Sequence, residues 1–263
     1  MQLSHVKRGL ASVRLRKNFL DVTKGIRSGG SPVKFLQVRL EGNKDALQYA
    51  PEFFFRESIA TAKEVILTPG DELNTDERWE KETKWLMEQI KFNDDIGLVI
   101  DFGCGIGRLS KEIKNPVLGV DISQSMRVHS EIYVKKLEFS CVRPETLQIL
   151  SANGLRADGV VSAWALQHVL YVIETIHLLM EILKPRGVFW LLDTLQRHVP
   201  CRWPSDYLDS KPSDYSKFVM FDDEVNILKV IEEWCDLEEE YPIPINLAQR
   251  ADTKLRKYRR KAI

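Results

Sequence analysis

The sequence predicts an α/β fold: a doubly wound, mostly parallel seven-stranded sheet with helices on both faces, preceded by an N-terminal extension. Three observations predict it. Short apolar runs alternate with amphipathic stretches from about residue 75 onward, as in parallel β-α units whose sheet is covered on both faces. The first run ends in "VIDFGCGIGRLS", Val99 to Ser110, where an acid precedes three glycines on alternate positions. Residues suited to helix ends, including Ser123, Pro144, Gly154 and Pro185, punctuate the alternation.

Each element has a local reason. Asn74 is placed to cap a helix over 75–90, which sets Trp79, Leu86 and Ile90 on one stripe. The apolar run 96–102 is a buried strand, and a helix opens at Arg108. Residues 116–122 form the second strand, followed by a helix over 123–137 that Ser123 can cap. The third strand is 138–142. Pro144 opens the next helix and Gly154 closes it. The fourth strand is 158–164, a long helix runs to Pro185, and 187–193 is the fifth strand. A helix over 222–234 and two edge strands, 235–241 and 253–261, complete the set. Residues 1–75, broken by "RSGGSP" and "LTPGDELN", read as an irregular extension with a short helix near 53–62. Residues 76–263 read as one ligand-binding domain.

Composition narrows the function classes. The 263 residues balance 38 Lys and Arg against 38 Asp and Glu, so the chain as a whole has no bias toward nucleic acid or acidic lipid. Residues 1–50 are locally basic, with ten Lys and Arg against three acids, and "KLRKYRRK" (254–261) is basic again. Cys104, Cys141, Cys201 and Cys235 lie far apart without a C-x-x-C pair, which argues against a zinc site and a secreted disulfide framework. No metal site is expected. No apolar run is long enough to cross a membrane, and a cytoplasmic location is the expectation.

The glycine turn selects the ligand. Glycine lets a ligand approach the main chain and adopts dihedrals that other residues resist. A phosphate-binding loop requires Lys and a hydroxyl after its last glycine, and both are missing here. A dinucleotide fingerprint requires a glycine where Arg108 stands. Asp101 would repel a pyrophosphate but suits an ammonium group. An adenosine joined to an amino acid satisfies these constraints.

On these residues the sequence resembles the class I S-adenosylmethionine-dependent methyltransferases. Asp101, Gly103, Gly105 and Gly107, with Cys104 between them, match the family's first motif. Asp121 with Ile122 matches the second. The resemblance implies S-adenosyl-L-methionine as cofactor, with Asp121 chelating the ribose hydroxyls and Met126 packing on the adenine. It also offers Glu145 as acceptor for the adenine amino group, although a first-turn Glu is favoured by the helix dipole alone.

The acceptor side is less determined. Just past the fourth strand, His168 is a candidate general base for a hydroxyl acceptor, or else it packs at the helix start. Trp164, Gln167 and Asp193 share that edge of the sheet. Residues 194–220 interrupt the alternation with prolines, aromatics and the polar residues Arg197 and Arg202, and read as a cover over the acceptor; Arg197 and Trp203 are its candidate contacts. "SAWALQ" stands where enzymes acting on amino groups of bases carry [DN]-P-P-[YF]. The expected acceptor is a small molecule or sugar. The alternatives are RNA or protein docked on the basic extension, and a non-catalytic cofactor-binding module.

Overall fold

The computed structural model describes residues 48–49, 56–67, 73–93, 97–194, 201–202, 227–244, 246–247 and 253–262. Within them α1 (Ile59–Ile66) and α2 (Thr75–Gln89) precede an alternating series: β2 (Val99–Phe102), α3 (Arg108–Glu112), β3 (Val117–Val120), α4 (Gln124–Val134), β4 (Phe139–Val142), α5 (Pro144–Ala152), β5 (Ala157–Ala163), α6 (Val172–Ile182) and β6 (Leu183–Asp193). After these come α7 (Ile227–Trp234), β8 (Cys235–Pro242) and β9 (Lys254–Arg260). A separate pair, β1 (Gln48–Tyr49) and β7 (Cys201–Arg202), is antiparallel.

Seven strands join in the order β4-β3-β2-β5-β6-β9-β8. The first five are parallel; β9 runs antiparallel to both β6 and β8. Strand order reverses at β2, between β3 and β5, which opens a crevice beyond the carboxyl ends of these strands. One core face gathers Ile100, Leu118, Val160, Phe189 and Leu191 with the apolar stripe of α6, and the other gathers Val99, Val117, Val161, Trp190 and Leu192 with Leu86 of α2. Alternate residues of each central strand thus go to opposite faces.

The expected caps are present. Asn74 and Glu77 form a reciprocal capping box at α2, the Ser123 hydroxyl accepts from Met126 N–H, and Pro144 occupies the first turn of α5. The short helix expected over 53–62 is α1, because Ser58 and Thr61 build a capping box that starts it at Ile59.

Two expectations need correction. The long helix over 166–185 is two pieces: a 3₁₀ turn at Leu166–His168, then α6, which ends at Ile182. The Asp193 carboxylate accepts from Gln167 N–H and holds the turn apart from the helix. Pro185 lies inside β6 instead of ending the helix; Leu183 is already extended, and the register against β5 shifts between Ala157 and Gly159. The basic strand 253–261 is not an edge strand either. It is β9, inserted between β6 and β8, and its cations pair with the acids of β8: Arg256 with Glu240 at 2.8 Å, Arg259 bidentate with Glu238 at 2.8 and 3.0 Å, and Lys257 with Glu239. Its charge is matched by the neighbouring strand.

Candidate functional site

Asp101 is the third residue of β2, and Asp121 follows directly on β3. The intervening turn is strongly left-handed: Gly103, Gly105 and Gly107 have φ of 73, 55 and 83°, values costly for residues with a Cβ. Close packing requires the same residues. A Cβ on Gly103 would lie 2.1 Å from Ala165 Cβ, on Gly105 2.5 Å from Ile66 Cδ1, and on Gly107 2.3 Å from Val134 Cγ2. The turn is therefore bare for two reasons, its dihedrals and the elements that close on it.

The two acids do different work. The Asp101 side chain is 3% exposed, and its Oδ2 accepts from Ser110 N–H at 3.2 Å and Ser110 Oγ–H at 2.6 Å. It thereby ties β2 to the first turn of α3. Burial pushes its carboxyl up to about 6, against the opposing hydrogen bonds from Ser110. Asp121 Oδ2 accepts from Gly105 N–H at 2.9 Å and Oδ1 from Ser123 N–H at 2.8 Å. It is only partly buried at the strand tip, and burial also raises its pKa while those two N–H groups oppose the shift. Arg127 fixes the chain behind it, donating to the carbonyls of Asp121 and Ile122 at 2.8 Å each.

The other candidates spread around this centre. Cys104 is buried under the turn, its Sγ 3.4 Å from Cys141 Sγ. Ile122 packs against the main core. Met126 is buried with Ala62, Leu67, Trp79 and Ile106, the cluster by which α1 and α2 cover the glycine turn. Glu145 lies in the first turn of α5 beside Arg143, whose Nε is 3.3 Å from Oε2.

Beyond the ends of β5 and β6, Gln167, His168, Asp193 and Thr194 form one network. Gln167 Oε1 accepts from Thr194 N–H at 3.1 Å and Oγ–H at 2.6 Å. That directs the Gln167 amide nitrogen to His168 Nε2, 3.0 Å away. His168 Nε2 is then an acceptor, and a neutral ring carries its proton on Nδ1. The lone pair that a general base would use is engaged by Gln167, an arrangement that suits the packing alternative. Trp164 has φ of 60°, and its indole N–H donates to Glu82 Oε1 at 2.8 Å. Arg197 and Trp203, with most of the cover 194–220, lie outside the described residues.

Sequence reasoning missed Glu82, which is fully buried. Arg108 pairs with its Oε1 at 2.9 Å and Arg78 with its Oε2 at 3.4 Å, while the Arg108 guanidinium also lies 5.5 Å from the Trp79 ring centre. A signal existed: Glu82 falls on the stripe of Trp79 and Leu86, where an acid requires partners. Ser110 and Ile66 were missed as well, because only the folded chain brings them to the turn.

A Rossmann-like sheet with an acid–glycine turn at its switch point defines the class: a fold built to hold a nucleoside-bearing cofactor. Residues 100–189 match the family model described as a methyltransferase domain. That stretch is similar to methyltransferase domains, and the sheet around it has the class I methyltransferase fold. Among curated proteins it is 26% identical over 146 residues to a ubiquinone biosynthesis O-methyltransferase of Cereibacter sphaeroides, a match covering 50% of this chain and 58% of that protein. The chain thus spans little more than half the length of the curated relatives it matches. Among solved structures, N-methyltransferase NodS from Bradyrhizobium japonicum in complex with S-adenosyl-L-homocysteine superposes with a TM-score of 0.53 at 14% identity, covering 75% of this chain and 96% of that one. The CurJ carbon methyltransferase gives 0.54 at 14% identity, covering 81% and 61%. Oxygen, nitrogen and carbon acceptors appear in the names of these three proteins, so the shared fold does not select the atom methylated.

Proposed function

We propose that the protein is an S-adenosyl-L-methionine-dependent methyltransferase acting on a small-molecule or sugar acceptor. One observation carries the cofactor half: a left-handed glycine turn and the Asp121 carboxylate meet at the tips of adjacent central strands, where strand order reverses. The residues fit the cofactor. Among the described residues Asp121 accepts only from main-chain N–H groups, one on each oxygen, which leaves carboxylate lone pairs for the ribose hydroxyls, and the bare turn admits the methionine portion beside it. Asp101, held on Ser110, acts by fixing the turn and by its charge; Glu145 stands at the start of α5 for the adenine.

When bound, the cofactor supplies a sulfonium methyl group for in-line displacement. The chain has to align the acceptor and exclude water, effects that can supply on the order of 7–11 kcal/mol. The Gln167–His168–Thr194–Asp193 network and the Trp164 side chain stand at the edge where the acceptor would lie. For a hydroxyl acceptor His168 is the candidate base, taking the proton on Nε2 after exchanging its Gln167 partner. The curated relatives named as O-methyltransferases of ubiquinone biosynthesis support a small-molecule acceptor. The RNA or protein alternative loses one of its two supports, since the basic strand is neutralised within the sheet.

Calorimetry with S-adenosyl-L-homocysteine tests the cofactor half, and a turnover screen of phenols, amines and saccharides tests the acceptor. Binding without turnover on any acceptor class would leave the non-catalytic module as the better reading; no binding would remove both.

A further inference from the structure

We infer that Cys104 and Cys141 are a redox-modification site: an intramolecular disulfide between them, formed reversibly, distorts the glycine turn and weakens cofactor binding. The sulfurs lie 3.4 Å apart although 37 residues separate them in the chain. Both are free thiols. They meet over a glycine: Cys141 is in register with Gly119 of β3, and a Cβ on Gly119 would come within 2.9 Å of Cys104 Sγ. Only the absence of a side chain at Gly119 lets the turn lower a thiol onto the next strand but one.

A disulfide requires about 2.05 Å between the sulfurs, so closure draws Cys104 roughly 1.4 Å toward β4. Cys104 sits between Gly103 and Gly105, and the Gly105 N–H donates to Asp121. Pulling one residue of so tight a turn strains the next, and Asp121 is the residue read above as the ribose ligand. The effect on binding rests on that reading; the covalent chemistry does not.

The two thiols have distinct parts. Cys141 is partly exposed, whereas Cys104 is buried. The hydrogen bond with Cys141 and then burial push the Cys104 thiol well above its ordinary range. Cys141 therefore meets the oxidant first, a small-molecule disulfide such as oxidised glutathione. Cys141 sulfur attacks the oxidant, forming a mixed disulfide and expelling one thiolate. Cys104, giving up its proton, attacks Cys141 Sγ and expels the second. Two protein thiols are oxidised, one small disulfide is reduced to two thiols, and the protons pass to the leaving thiolates.

The full chain is treated with oxidised glutathione, digested without reductant and mapped by mass, in parallel with calorimetry against S-adenosyl-L-homocysteine. The expected result is a Cys104–Cys141 cross-linked peptide lighter by two hydrogens, dithiothreitol reversal, and affinity lowered about tenfold, the loss of one charged hydrogen bond. Cys141→Ser keeps the reduced affinity and abolishes both cross-link and oxidant sensitivity. Recovery of glutathionylated Cys141 alone, of unmodified thiols, or of a cross-linked chain with unchanged affinity overturns the inference. A reduced chain that binds no cofactor product instead defeats the cofactor reading, and the mass map still decides whether the disulfide forms.

Discussion

The indole N–H of Trp164 donates to Glu82 Oε1 at 2.8 Å across 82 residues of chain, and the tryptophan so held has a φ of 60°. A left-handed tryptophan at the end of β5 is a strained residue, worth about 1–3 kcal/mol, that persists only where its surroundings over-determine it. Glu82 holds its side chain, and Leu192 O holds its backbone by accepting from Trp164 N–H at 2.7 Å. Glu82 also meets Arg108, the residue after the glycine turn, and Arg78 on its own helix. One carboxylate thus joins α2 to both the glycine turn and the end of β5.

Glu82→Ala leaves two buried guanidinium groups and an indole N–H facing a void. The expected loss of unfolding free energy is about 3–5 kcal/mol, read from urea denaturation. Glu82→Gln retains an acceptor for Trp164 and should cost less. Equal stability of the alanine variant and the parent would show that these groups find other partners.

Asp121→Ala should weaken binding of the demethylated cofactor product by roughly ten- to a hundredfold, since hydrogen bonds to a charged group contribute about 1.5–3 kcal/mol. Isothermal calorimetry at constant pH reads this directly. An unaltered dissociation constant removes Asp121 from the site.

The Asp101 carboxyl gives a pH signature. Its folded pKa, about 6, lies above the ordinary 3.8, so the native state binds more protons between those values and stability falls as pH rises through that window. The fall is complete above about pH 6.5 and amounts to at most ~3 kcal/mol. Asp101→Asn lacks this titration. Relative to that variant, the parent should lose stability between pH 4 and 6.5 and run parallel to it above, as measured by denaturation at each pH. Parallel curves throughout would mean an unshifted carboxyl.

Two glycines separate backbone strain from collision. Gly154 has φ of 88° but nothing within 4 Å of an added Cβ, whereas Gly107, at 83°, would meet Val134 at 2.3 Å. Gly154→Ala should therefore cost only the left-handed penalty, about 1–2 kcal/mol, and Gly107→Ala distinctly more. Melting temperatures of the two variants, side by side, decide it.

The alternation of elements, their caps and the strand-tip placement of Asp101 and Asp121 were legible in the chain, because each follows from short-range causes: apolar periodicity, hydroxyl or amide caps, and glycines that take positive φ. Asn74, Ser123 and Pro144 lie where their chemistry puts them. The segment after β5 was less legible. Gln167 and His168 were expected in a continuous helix, yet Asp193, 26 residues away, holds them in a 3₁₀ turn.

By itself, then, the sequence determined a doubly wound sheet and a carboxylate–glycine turn for a nucleoside-like ligand, since neighbouring residues suffice to encode strands, helices and left-handed turns. Only the tertiary structure decided that β9 enters the sheet with its cations matched by β8, that Glu82 joins α2 to Arg108 and Trp164, and that Cys104 and Cys141 face each other over Gly119. Those contacts link residues tens of positions apart, and no local propensity records which distant partner a buried charge or thiol will meet.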